Sequence, residues 1–186
     1  MLASPALAAD CPTVADMPQG VLFSIVGGDT DSYRSVAPGV VESIYTATDG
    51  FVVRSMLGQG TYLLELVDLL DGSPAMDTRT TYGFSMKPTE MPVPVPNGRW
   101  SAEVVILEAG ELRNEIQSYS FGAKTVVTMG ACSYDMIPIE IRYGPDNQTL
   151  LDVLHYLPAL ELAYFAASSY DGTEDVYDYY KIERLR

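Results

Sequence analysis

Short apolar runs, cut at close intervals by turn residues, dominate the chain from Gly20 onward. Val21 to Val26 is apolar and stops at Gly27-Gly28-Asp29. Val40 to Thr48 and Phe51 to Leu57 flank Asp49-Gly50, a dipeptide that supplies positive φ at little steric cost and so predicts a hairpin. Gly58-Gln59-Gly60 then turns the chain into Thr61 to Leu70, which ends at Asp71-Gly72. These four segments read as an antiparallel meander, and Thr78 to Phe84 follows as a further strand.

The second half repeats this grammar. Trp100 to Leu107 and Leu112 to Phe121 flank Ala109-Gly110, and Lys124 to Met129 leads through Gly130 to Cys132. Ile137, Ile139, Ile141 and Tyr143 alternate with Pro138, Glu140 and Arg142, which places the isoleucines on one buried face. Gly144-Pro145-Asp146-Asn147 turns the chain. Gln148 to Leu157 is ambiguous: Leu150, Leu151, Leu154 and Leu157 fit a helical stripe that Asp146 or Asn147 would cap, yet so short a run fits a strand as well. Leu160, Leu162, Tyr164 and Ala166 alternate again. Asp171-Gly172 makes the last hairpin, and Val176, Tyr180 and Ile182 bring the chain home. The pattern predicts an all-β chain of about eleven strands with few or no helices, consecutive strands pairing as neighbours.

Pro88, Pro92, Pro94 and Pro96 fall within 87–98. Proline has no amide donor, so this stretch is expected to be an extended, exposed connection outside a central strand, joining two halves of one sheet or, if the chain holds two small domains, marking their boundary. Near the start, Ala6 and Ala8 form an A-x-A cleavage pattern after a short apolar stub. Residues 1–8 therefore read as the remnant of a signal peptide, and 9–186 as a single exported domain. A chain of this size can bury roughly 70% of its unfolded surface, so it needs no metal to hold a core.

Export changes the reading of the cysteines. Cys11 and Cys132 are the two cysteines of the chain. In an oxidising compartment they most simply form one disulfide closing a loop of about 121 residues. A lipid-anchored Cys11 fits less well, because Asp10 and Ala8 stand where a lipobox wants a small residue and an apolar one. Free thiols are the remaining alternative.

Charge narrows the partners. Against 25 acidic residues stand 11 basic ones, for a net charge of −14. That argues against nucleic acid, which needs clustered cations to displace counterions, and against adhesion to anionic lipid head groups. No apolar run reaches the ~20 residues of a membrane-spanning helix.

Within the final third, Gly130-x-Cys132-x-Tyr134-Asp135 leads into a strand. His155-Tyr156-Leu157-Pro158-Ala159-Leu160 then passes through a tyrosine-rich strand to Asp171-Gly172 and a closing strand from Tyr180 to Leu185. This succession resembles bacterial periplasmic proteins related to envelope integrity protein B and, more distantly, the lipoprotein carriers. In them a Y-x-P-E-L-G turn precedes the last hairpin; here Ala159 stands at the glutamate and Glu161 at the glycine. The resemblance covers about fifty residues. It implies a strongly curved antiparallel sheet, an open or half barrel, in the bacterial envelope, binding or carrying envelope components without chemistry of its own. It transfers no catalytic residue.

Candidate chemistry is sparse. His155 is the one histidine, and a hydrolytic triad would pair it with a serine such as Ser133, yet no G-x-S-x-G elbow is present. Asp29-Thr30-Asp31 has oxygen ligands but lacks the remaining positions of a calcium loop, and reads as a solvated turn. One histidine and two cysteines leave little for zinc, and no cofactor motif appears. Asp171, Glu174, Asp175 and Asp178 gather negative charge at the last hairpin, either as a solvated edge or as a docking surface for a basic partner.

Tyrosine is the compositional oddity, with 13 in the chain. Tyr177 and Tyr179 face opposite to Val176 and Tyr180, so aromatic rings occupy both faces of the last strand. Packing explains much of this. The functional alternative is an aromatic-lined groove using Tyr156, Tyr164, Tyr177 and Tyr179 to hold an apolar ligand. The reading that results is a non-enzymatic exported protein, periplasmic or secreted, that binds an apolar ligand or an envelope protein. Interaction through a sheet edge or the acidic hairpin is the alternative, and an exported hydrolase the third.

Overall fold

A computed structural model of the chain describes residues 11–145 and 149–185. The A-x-A segment at 1–8 and the Asp146-Asn147 cap lie outside the described residues.

Fifteen strands follow in chain order: β1 (Val21–Ile25), β2 (Thr30–Ala37), β3 (Val40–Thr46), β4 (Val52–Gly58), β5 (Tyr62–Leu70), β6 (Ser73–Pro74), β7 (Thr80–Gly83), β8 (Arg99–Glu108), β9 (Glu111–Phe121), β10 (Thr125–Met129), β11 (Cys132–Gly144), β12 (Leu151–Leu157), β13 (Leu162–Tyr170), β14 (Thr173–Val176) and β15 (Tyr179–Arg184). The only helical pieces among the described residues are two 3-10 turns, Val14–Asp16 and Pro88–Glu90. All pairings are antiparallel; the main path runs β14-β13-β12-β11-β9-β8-β7-β5-β4-β3-β2-β1-β15, and off it β10 pairs β11 and β6 pairs β5.

The expected count of about eleven is therefore corrected to fifteen among the described residues. Four segments make up the difference. β2 escapes a hydrophobic search because its sequence, TDSYRSVA, is mostly polar. The two-residue β6 is too short to show a period. β12 resolves the ambiguous leucine run as a strand: it pairs β11 on one side and β13 on the other, so its leucines alternate across a sheet instead of forming a helical stripe. The last predicted strand divides at Tyr177-Asp178 into β14 and β15.

Tight turns hold the register where the sequence placed them. Asp71-Gly72, Ala109-Gly110 and Asp171-Gly172 each carry two consecutive positive φ angles (51° and 75°, 50° and 83°, 48° and 82°). This geometry matches the twist of the strands it joins.

The two ends of the path are consecutive in sequence. β14 pairs β13, β15 pairs β1, and no ladder joins β14 to β15 among the described residues, so the sheet is not closed. The chain crosses between the two sides at Tyr177-Asp178. The Tyr177 amide donates to the Ala166 carbonyl (2.9 Å), and the Val26 amide donates to the Asp178 carbonyl (2.8 Å).

Two cores fill the curved sheet. One gathers Val21, Phe23 and Ile25 of β1 with Met129, Tyr134, Leu162 and Tyr164. The other gathers Tyr62, Tyr119, Phe121, Ile139 and Tyr156. β11 serves both by changing phase. Cys132, Tyr134 and Met136 are buried in the first core, and then Ile137, Ile139 and Ile141 in the second.

The connection 87–98 joins β7 to β8, and it is packed at two points rather than wholly exposed. Met91 is buried in the second core, Pro94 is buried as well, and the Pro92 carbonyl accepts from the Tyr62 hydroxyl (2.6 Å).

Cys11 and Cys132 form a disulfide with a Cα–Cα distance of 5.5 Å. The bond ties the start of the described chain to the β10–β11 hairpin, where the Tyr134 hydroxyl also donates to the Pro12 carbonyl (3.0 Å). Replacing both cysteines with serine should lower stability by roughly 4–5 kcal/mol in the chain-entropy account, read as a reduced urea midpoint with native circular dichroism retained.

Gly60 makes the tightest backbone approach. Its φ is +61°, its carbonyl accepts from the Ala163 amide (2.7 Å), and a Cβ there would lie 2.4 Å from the Glu161 carbonyl oxygen. Gly60→Ala should destabilise by about 3 kcal/mol or more, since the methyl meets backbone that cannot yield. The equivalent change at Gly72, where a Cβ meets nothing within 4 Å, should cost only the ~1–2 kcal/mol of the left-handed conformation.

Candidate functional site

Curvature leaves a cavity of about 600 Å³ on the concave side of the sheet. Its walls come from β2 to β5, β7, β9 and β11 to β13, together with Tyr177 and Tyr179. The sheet thus wraps around one interior. The β3–β4–β5 wall is mainly apolar and supplies Val53, Leu57, Leu63 and Leu66, with Phe51 half-exposed beside the Asp49-Gly50 turn. Where the two ends of the path meet, Phe165 and Tyr45 each pack against Tyr177 edge to face, at centroid separations of 5.5 and 6.4 Å.

Polar groups in the lining occur in hydrogen-bonded sets. Along β9 every second residue faces inward. The Tyr119 hydroxyl donates to Gln117 Oε1 (2.6 Å), Gln117 Nε2 donates to Glu115 Oε1 (3.0 Å), and Arg113 Nη1 donates to Glu115 Oε2 (3.0 Å). Glu115, Gln117 and Tyr119 are all buried. On β12, Asp152 accepts from the Tyr143 hydroxyl (2.6 Å) and the Ser168 hydroxyl (2.7 Å). Burial and the neighbouring Asp152 carboxylate keep the Tyr143 phenol protonated far beyond its usual range. Such pairing is what permits polar groups to stand in a low-dielectric interior.

A third set sits on β2 and β3. Asp31 accepts from the Tyr33 hydroxyl (2.5 Å) and the Ser43 hydroxyl (2.7 Å). The expectation that Asp29-Thr30-Asp31 forms a solvated turn is corrected here. Asp31 is buried within a strand at 4% exposure. Asp29 is tied down by the Tyr45 hydroxyl and by the Thr48 amide (2.9 Å), which hold its carboxyl below the ordinary range. Burial pushes Asp31 up to about 6, against the pull of its two hydroxyl donors.

Of the four tyrosines singled out from the sequence, Tyr177 and Tyr179 line the cavity. The other two are elsewhere. Tyr156 is buried in the second core, and Tyr164 in the first, where it packs on Phe23 (5.7 Å). His155 is bonded through Nδ1 to the Tyr164 hydroxyl (2.8 Å), and burial holds its pKa below the ordinary histidine value. It is not in the cavity lining, and Ser133 lies on the β10–β11 hairpin with Thr128 as its hydroxyl partner (2.9 Å). Asp171, Glu174, Asp175 and Asp178 are exposed around β14.

Sequence reasoning missed the β9 set. Its signal is the R-x-E-x-Q-x-Y spacing from Arg113 to Tyr119, in which complementary side chains fall on one face of a strand. No group of three or more His, Cys, Asp or Glu positioned to hold a metal occurs among the described residues. No helix among them is long and apolar enough to cross a membrane.

No family model matches the sequence, and no curated protein matches it significantly. Among solved structures, the fold is similar to that of the hypothetical lipoprotein YmcC from Escherichia coli K12. The TM-score is 0.49 at 12% identity, over 92% of this chain and 89% of that one.

Asp31 gives a pH test with a definite sign. Its folded-state pKa of about 6 lies above the ordinary 3.8, so between those values the unfolded chain releases the proton first. Stability from this group therefore falls as pH rises through that window. Asp31→Asn offers one acceptor and one donor to the same two hydroxyls and cannot ionise. The stability of Asp31→Asn relative to the wild-type chain should increase by about 3 kcal/mol from pH 3.5 to pH 7 in paired urea titrations. A constant difference across that range would show that Asp31 does not titrate as its burial requires.

Proposed function

We propose that the protein is a non-enzymatic binding protein of the bacterial envelope, holding an apolar ligand inside its curved sheet. The observation that carries this reading is the cavity. Its volume of about 600 Å³ falls within the 300–1,000 Å³ of small-molecule sites, and its mixture of aliphatic and aromatic wall with a few placed polar groups is the usual chemistry of such sites.

Two features favour binding over catalysis. The polar groups of the β9 set are engaged with one another, which suits a fixed wall better than a reacting centre. The one histidine is spent on Tyr164, and a nucleophile–base pair needs that base facing a substrate. An exported location, periplasmic or secreted, is supported by the Cys11–Cys132 disulfide, since such bonds persist in oxidising compartments, and by the A-x-A pattern at Ala6 and Ala8.

The test uses a neutral dye, so that charge does not enter. N-phenyl-1-naphthylamine should bind the purified protein with enhanced fluorescence and one-to-one stoichiometry. Ser55 lines the β4 wall of the cavity, and Ser55→Phe places a ring where the ligand would lie. This variant should lose at least tenfold in dye affinity while its melting temperature stays equal or rises, because filling empty apolar volume stabilises. Unchanged dye binding in folded Ser55→Phe would remove the cavity as the binding site.

A further inference from the structure

The cavity's ionisable lining is lopsided. Among the described residues that line it, Asp31, Asp68, Glu115 and Asp152 contribute four carboxylates, and Arg113 is the one cation. That cation is already engaged, with Glu115 at 3.0 Å and with Glu108 outside the lining at 3.8 Å. Among the described residues, no cationic side chain is therefore left in the lining to receive an acidic head group. Burying a carboxylate without a partner beside other carboxylates is costly. The net charge of −14 adds repulsion over a longer range.

The carboxylates differ in how fully they are used. Asp31 has two hydroxyl donors, and so does Asp152. Asp68 has neither a hydrogen bond nor an ion pair to its carboxylate among the described residues. Strand register places it opposite Val53, on the apolar β4–β5 wall. An acceptor with open valences thus stands beside a surface suited to an alkyl chain. The combination asks for a ligand with a donor-rich, positively charged end and an apolar body.

We infer that the cavity selects a cationic amphiphile, a small molecule with an ammonium head and an aliphatic tail, and rejects fatty acids and other anionic chains of the same length. This rests on the cavity being a ligand site, as proposed above, and adds the sign of the ligand's charge. In the bound state the ammonium donates to Asp68, and the tail lies along Val53, Leu57 and Leu66.

Dodecylamine, dodecan-1-ol and dodecanoate share a tail and differ only in the head. Each is titrated below its aggregation limit against the full chain at pH 7, by calorimetry and by displacement of N-phenyl-1-naphthylamine. Dodecylamine should bind at least tenfold more tightly than dodecanoate, with the alcohol between them. Asp68→Asn removes a charge with which no described residue pairs. It should lower the dodecylamine affinity several-fold, leave the alcohol unchanged and narrow the amine-to-acid ratio.

Equal binding of amine and acid, or tighter binding of the acid, overturns the charge selection while leaving the cavity a ligand site. An amine preference that survives intact in Asp68→Asn overturns the placement of the ammonium on Asp68, since that residue would then play no part. Binding of the dye but of none of the three chains also overturns the selection for an aliphatic ammonium. Failure of the dye and all three chains together overturns the ligand site itself.

Discussion

A sheet that curves back on itself encloses a volume, and its inward side chains either fill that volume or leave it open. With about eight strands the side chains of a barrel just meet across the middle, and wider sheets leave space. Thirteen strands lie along the path here. The sheet handles the excess by filling part of its interior and not the rest. Phe23, Tyr33, Tyr164 and Tyr179 crowd together near β1 and β15, with Phe23 centred 5.3 to 5.8 Å from the other three rings. Toward β4, β5 and β9 the space remains. The cavity is therefore a consequence of strand number and curvature, and the chemistry of its wall follows from which residues face inward there.

An inward face next to open space does not have to be apolar, provided its polar atoms are paired. β9 shows this most clearly. Its inward residues Arg113, Glu115, Gln117 and Tyr119 bond to one another along the strand, while Leu112 and Ile116 face outward at 71% and 51% exposure. The neighbouring β8 also turns Val105 and Leu107 outward, though Val104 and Ile106 on its other face are fully buried. The hairpin is partly inside out, and hydrogen bonding compensates for the polar interior.

That inversion explains how much of the molecule was legible in the sequence. Where burial is apolar, the pattern reads directly: Ile137, Ile139 and Ile141 alternate and are buried, and the Ala109-Gly110 and Asp171-Gly172 turns stand where their dipeptides put them. Where burial is polar, the pattern is silent. β2 carries a buried Asp31 and Tyr33 in an otherwise hydrophilic stretch, so it looked like part of a loop. The candidate site divides the same way. Tyr177 and Tyr179 were visible as aromatic residues on one face of a strand, whereas Glu115 and Gln117 became recognisable only through the partners that the fold supplies. Tyr156 and Tyr164 show the converse limit, since tyrosine content alone does not distinguish a lining ring from a core ring.

The end of the strand path raises a separate question of solubility. An open sheet presents an unpaired edge that invites pairing with another chain. β14 lies at one end of the path, and it is four residues long, entirely exposed, and carries Glu174 and Asp175, with Asp171 and Asp178 flanking it. Short length and like charge both discourage a second copy from docking in register. Immediately beyond it, Tyr177 turns inward against Phe165 and Tyr45, so one residue anchors the seam while its neighbours keep the edge charged. The acidity concentrated here is thus accounted for by the need to leave the sheet open without leaving it adhesive.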